Sequence, residues 1–162
     1  MKLKSVAAAA ALALAGGSAL AVGPGNLGTI DNTPIVVGNS VAGPLLFDVY
    51  TFTLANPGFL DGIATSLDLS GVLGLVGFSV VLQDSSFATI GVDTSPADGF
   101  SFAGLSAGSY ALTFVGVTNG SLGGSYAGVI LAQTIPEPET YALMLAGLAA
   151  VGFVAMRRRQ RG

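Results

Sequence analysis

The residues able to do chemistry in this 162-residue chain are nine acids, six bases and many hydroxyls; Cys, His and Trp are absent. A nucleophilic serine needs a neighbouring base. Without imidazole only a carboxylate or a lysine could serve, and both lysines, Lys2 and Lys4, stand at the very start. Thiolate catalysis, disulfide bridges and the usual zinc sites are excluded by the same composition. Asp93-Thr94-Ser95 matches the catalytic turn of aspartic proteases in residue type, but one triplet would need a second copy, and Pro96-Ala97-Asp98-Gly99 after it reads as a further turn. An Asp-dependent hydrolase with paired carboxylates is the catalytic reading that is left, and the expectation is a protein that is not an enzyme. Aspartates without balancing cations also suit calcium, with Asp48, Asp61, Asp84, Asp93 and Asp98 as candidate ligands. No D-x-D-x-D-G loop occurs, so such a site would be assembled from separate loops; no other cofactor is expected.

The charges that surround these residues divide the chain. All six basic residues lie at the ends: Lys2 and Lys4, then Arg157, Arg158, Arg159 and Arg161. Residues 22–135 carry seven aspartates and no base. A segment without a cation cannot neutralise phosphates, which argues against nucleic acid as a partner. Met1 to Lys4, the apolar run Val6 to Ala15 and the small residues Ala19 and Ala21 have the order of a signal peptide, residues 1–21, cut by signal peptidase after Ala21. At the other end Pro136-Glu137-Pro138-Glu139 stops any regular element, and an apolar run over 141–156 follows, closed by the arginines of 157–161. As a helix those residues reach about 24 Å, a little short of a bilayer core of about 30 Å. Positive flanks stay in the cytoplasm, so Arg157, Arg158 and Arg159 act as a stop-transfer signal while the middle of the chain crosses.

Pro136-Glu137-Pro138, an apolar helix and an Arg-rich end together resemble the PEP-CTERM sorting signal of Gram-negative bacteria that make exopolysaccharide. The resemblance covers residues 136–162. It implies that an exosortase, a membrane-embedded cysteine transpeptidase, recognises Pro136 to Pro138 and cuts near them, leaving the helix behind. The inner membrane would hold the chain only as an intermediate on the way to the outer surface or the extracellular matrix.

Between the signals, residues 22–44 read as a loose lead-in, rich in Gly, Asn, Thr and Pro at its start. Over 45–135 the pattern is period two, with strands expected at Leu45 to Leu54, Ile63 to Leu69, Leu75 to Leu82, Phe87 to Val92, Phe100 to Leu105, Ser109 to Val117 and Ser125 to Ala132. Gly71, Gly74 and Gly77 argue against a helix there, since each costs about 1 kcal/mol in a helix interior. Short strands separated by turn residues indicate an all-β fold, a single antiparallel β-sandwich. Asn119-Gly120 between the last two strands predicts a hairpin. On the first strand Leu46, Asp48, Tyr50 and Phe52 share one face, so the Asp48 carboxylate needs donors or a cation. Backbone N–H groups of a nearby loop would satisfy it; a calcium ion shared with another aspartate is the alternative.

Leu46-x-Asp48-x-Tyr50-x-Phe52 resembles the F-x-D-x-F signature of a recurrent family of PEP-CTERM proteins, with Leu and Tyr replacing two Phe. Leu105-Ser106-Ala107-Gly108-Ser109-Tyr110-Ala111-Leu112-Thr113-Phe114 is similar to a strand of bacterial prepeptidase-type sandwiches. These resemblances imply an exported, single-sandwich module, jelly-roll or prepeptidase-like, of unestablished activity; the role expected for it is structural or adhesive, at the cell surface or in the extracellular matrix. A carbohydrate-binding module is the alternative, with Tyr50, Tyr110 or Tyr126 stacking on the sugar rings of exopolysaccharide; core tyrosines are the competing reading.

Overall fold

Alternation on Leu45-Leu46-Phe47-Asp48-Val49-Tyr50-Thr51-Phe52-Thr53-Leu54 becomes a ten-residue strand whose even-numbered side chains are all buried. In the computed structural model, which describes residues 21–134, 143–151 and 156, it is the third of nine strands. In order these are β1 (Gly25–Ile30), β2 (Ile35–Val41), β3 (Leu45–Leu54), β4 (Gly58–Leu67), β5 (Leu75–Asp84), β6 (Thr89–Asp93), β7 (Phe100–Leu105), β8 (Gly108–Thr118) and β9 (Gly124–Thr134). A 3-10 turn, Pro96–Asp98, precedes β7.

Two sheets form, ordered β1-β3-β8-β5-β6 and β2-β9-β4-β7. All pairings are antiparallel except β1 with β3. Consecutive strands lie in different sheets throughout, save for the β5–β6 hairpin. The core lies between the sheets, where Tyr50, Phe52, Phe114, Leu60, Leu82, Leu112, Ile130, Val37 and Val80 are fully buried. Such burial is the main favourable term, at about 1.5–3 kcal/mol for each large apolar side chain.

The lead-in of the sequence reading contains two strands, β1 and β2. Local pattern does not disclose β1, because its pairing with Tyr50–Leu54 is shifted between Asn26 and Thr29 and Gly28 adopts φ +72°. Hydrogen bonds to partner strands make these elements, and Ile30 and Val37 tie them to the core. The second expected strand starts earlier, at Gly58, where an added Cβ would collide with the Gln133 carbonyl.

The expected hairpin at Asn119-Gly120 does not form. β8 belongs to the five-stranded sheet and β9 to the other, so this connection crosses the sandwich. It lies against the β4–β5 crossing: the N–H groups of Ser121 and Leu122 donate to the carbonyls of Gly71 and Val72 at 3.0 and 2.9 Å, and Gly74 N–H donates to the Gly123 carbonyl at 3.1 Å. Gly120 packs with no room for a Cβ beside Leu73 and Val72. Gly71 and Gly77 take φ +76° and +65°, in a turn and at a break in the β5–β8 register, as residues of strands and turns rather than of a helix.

Residues 143–151 and 156 are helical, with Leu143, Met144, Leu145, Leu148, Val151 and Met156 exposed. Among the described residues no helix is long and apolar enough to cross a membrane. The expected helix over 141–156 lies partly outside the described residues.

Candidate functional site

A polar cluster joins the two sheets inside the apolar core. β3 turns Leu46, Asp48, Tyr50 and Phe52 inward, with exposures of 3, 7, 0 and 2%. Opposite them β9 supplies Tyr126 and β2 supplies Asn39. The Tyr126 hydroxyl donates to Asp48 Oδ2 at 2.9 Å, and Asn39 Nδ2 donates to the same oxygen at 3.0 Å. The Tyr50 hydroxyl lies 2.9 Å from that of Tyr126 and 3.2 Å from the Val22 carbonyl. Because Tyr126 gives its hydrogen to Asp48, the single hydrogen of Tyr50 is shared between the Tyr126 oxygen and the Val22 carbonyl, both of which can accept it. Phe114, paired in register with Asp48, stacks on Tyr126 with centroids 4.9 Å apart and meets Tyr50 edge-on at 5.6 Å. Phe78 completes the aromatic surround, 5.5 Å from Tyr126.

The donors to Asp48 are therefore side chains rather than the loop N–H groups expected, and no buried polar side-chain atom among the described residues lacks a partner. Sequence reasoning picked out Asp48, Tyr50 and Tyr126 but missed Asn39, which stood in the presumed lead-in. Burial pushes the Tyr126 phenol far above its ordinary value, and the Tyr50 hydrogen bond and Asp48 charge push the same way. Burial raises the Tyr50 phenol too, with a further upward push from Asp48 set against the Tyr126 hydrogen bond. Phenols in this state keep their protons at neutral pH and are closed to ligands. The arrangement joins the sheets.

Tyr110 is also buried, stacked on Phe52 at 5.8 Å, and donates to the Ser106 carbonyl at 2.8 Å across the β7–β8 turn. The three tyrosines considered for stacking on sugar rings are all core residues, which removes them from a carbohydrate surface.

The remaining candidate aspartates do not gather with one another, and Asp61, Asp84 and Asp93 are each hydrogen-bonded where they stand. Gln133 Nε2 donates to Asp61 Oδ2 at 3.1 Å across β4 and β9. Asp84 Oδ1 accepts from Ser86 N, Ser86 Oγ and Ala88 N at 2.8, 2.6 and 3.0 Å, bonds that lower its carboxyl below the usual range. These bonds fasten the β5–β6 turn, in which Phe87 takes φ +63°; β6 starts only at Thr89, after the Phe87 predicted to open it. Asp93 Oδ1 accepts the Ser95 N–H at 2.8 Å, so Asp93-Thr94-Ser95 is an Asx turn, and Asp98 lies in the 3-10 turn. Among the described residues no three acids gather as a metal centre would require. Ala21 is exposed; Ala19, Pro136, Glu137, Pro138, Arg157, Arg158 and Arg159 lie outside the described residues.

The fold is thus an all-β sandwich of two largely antiparallel sheets. Residues 134–159 match the family described as the PEP-CTERM protein-sorting motif, so the chain carries that motif from the last residue of β9 onward, and the motif implies an exported protein sorted by an exosortase through a membrane-anchored stage. No curated protein matches the chain. Solved structures that resemble it include the pre-peptidase C-terminal domain of collagenase from Bacillus anthracis, 22% identical over 66% of this chain and 93% of that one, with a TM-score of 0.45. They also include PliG, a periplasmic inhibitor of g-type lysozyme. The Aeromonas hydrophila protein is 13% identical over 67% of this chain and 100% of its own, and the Salmonella Typhimurium protein 15% over 68% and 99%; both have a TM-score of 0.39.

Proposed function

We propose that this chain is a non-catalytic structural or adhesive module delivered to the cell surface or extracellular matrix of an exopolysaccharide-producing Gram-negative bacterium. Signal peptidase removes residues 1–21, the apolar tail holds the chain in the inner membrane, and exosortase cuts near Pro136-Glu137-Pro138. The observation that carries the reading is the sorting motif at residues 134–159, which begins at the last residue of β9. The inward closure of the Asp48 cluster supports a role that resides in the sandwich surface.

Mass spectrometry of the protein recovered from producing cells and medium, with and without the exosortase, tests this. The expected product lacks residues 140–162 only when the exosortase is present. Retention of that segment in both strains defeats the processing step.

A further inference from the structure

The outer face of the five-stranded sheet carries no charge. Register sets Leu45, Val117 and Val76 in one row across β3, β8 and β5, Phe47, Val115 and Ser79 in the next, and Val49, Thr113, Val81 and Val92 in a third that reaches β6. Leu45, Phe47, Val76, Val92 and Val117 are each more than half exposed, Phe47 at 70%. The three aspartates on these strands turn away, since Asp48, Asp84 and Asp93 pair with the buried Phe114, Tyr110 and Val80. The other four lie on β4, in the 3-10 turn or between strands.

An exposed sheet face is ordinarily polar. These five side chains leave on the order of 500 Å² of apolar surface open, at the upper end for a monomer, while a standard interface takes about 800 Å² from each partner. The half-buried Val49, Val81 and Val115 extend the patch toward that size.

We infer that this face is the interface of a homodimer. Charge favours a second copy as the occupant: residues 22–135 have no base to hold an anionic polymer or anionic lipid, whereas two copies meeting on this face keep all their carboxylates off the contact. Relief favours it too. Phe47 protrudes from β3 on one side of β8, and on the other side β5 offers only Gly77 and Ser79 beside it. A two-fold axis along β8 lays β3 of each copy over β5 of the other, so that Phe47 enters the hollow at Gly77 and Ser79 twice. Val115 then lies next to its own counterpart on the axis.

The chain has no cysteine, so a single introduced thiol reports contact between copies. Intact cells producing full-length Val115→Cys are treated with a short bismaleimide and compared with Ile63→Cys, on the outer face of the other sheet. A dimer-sized band is expected from Val115→Cys and none from Ile63→Cys. Adding Phe47→Asp to Val115→Cys removes the band while the amount of chain stays the same, because Phe47 is not part of the core; Leu45→Asp does likewise. The dimer is overturned if Val115→Cys gives no dimer band, if it crosslinks only to a species of another mass, if Ile63→Cys crosslinks equally, or if the band survives both aspartate variants.

Discussion

Tyr126 on β9 donates its phenolic hydrogen to the Asp48 carboxylate on β3, 2.9 Å away, across the space between the sheets. Neither residue belongs to the other's sheet, so the bond fixes how the two layers sit on each other. With Asn39 and Tyr50 it forms a polar chain in an apolar core, and a buried chain of this kind stabilises only while every member is satisfied.

Tyr126→Phe leaves Asp48 with Asn39 as its one side-chain donor and Tyr50 with the Val22 carbonyl alone. A loss of about 1–3 kcal/mol is expected from urea unfolding. Asp48→Ala costs a similar amount or more, and the double variant falls short of the sum by at least about 0.5 kcal/mol, as for residues in one network. Strictly additive losses would show that the two side chains do not act together.

Alkali should unfold the protein through the same cluster. Tyr50 and Tyr126 have phenols raised above the ordinary value near 10 in the folded state. Their contribution is complete below the unfolded value and declines as pH climbs above it, because the unfolded chain then releases protons that the folded chain retains. Each such tyrosine adds a slope of about 1.4 kcal/mol per pH unit. Unfolding free energy measured between pH 9 and 11 should fall steeply in the parent and less steeply in Tyr126→Phe. Equal slopes in the two would contradict this origin.

The crossing that leads into β9, just ahead of Tyr126, depends on glycine. Gly123 has φ +98°, and a Cβ there would strike the carbonyl of Val41 and the Cα of Ala42. Gly123→Ala should cost about 2 kcal/mol or more in unfolding free energy, since backbone strain and displaced main chain add together. Gly147→Ala, in the C-terminal helical segment with nothing within 4 Å, serves as the tolerated comparison. A Gly123→Ala protein as stable as its parent would mean that the β8–β9 and β2–β3 connections can move apart.

Much of the strand content was legible because alternation and turn residues are local signals. β3 and β7 have the bounds that their patterns predict, and the inward face of β3 follows from period two alone. β1 and β2 were not legible, since an edge strand interrupted by glycines is held by its neighbour and not by its own pattern. Asn119-Gly120 misled for a related reason: it signals a reversal of chain direction without saying whether the next strand pairs with the last or joins the facing sheet.

By itself the sequence determined the segregation of charge, the sorting motif that follows the last strand and the inward set Leu46, Asp48, Tyr50 and Phe52, all readable from residue type and spacing along the chain. Only the tertiary structure decided that Asn39 and Tyr126 meet Asp48, that three tyrosines lie in the core, and that Leu45, Phe47, Val76 and Val117 form one uncharged face. Residues as far apart as 48 and 126 become neighbours through sheet order, and sheet order is set by long-range backbone pairing and by which apolar faces close on each other.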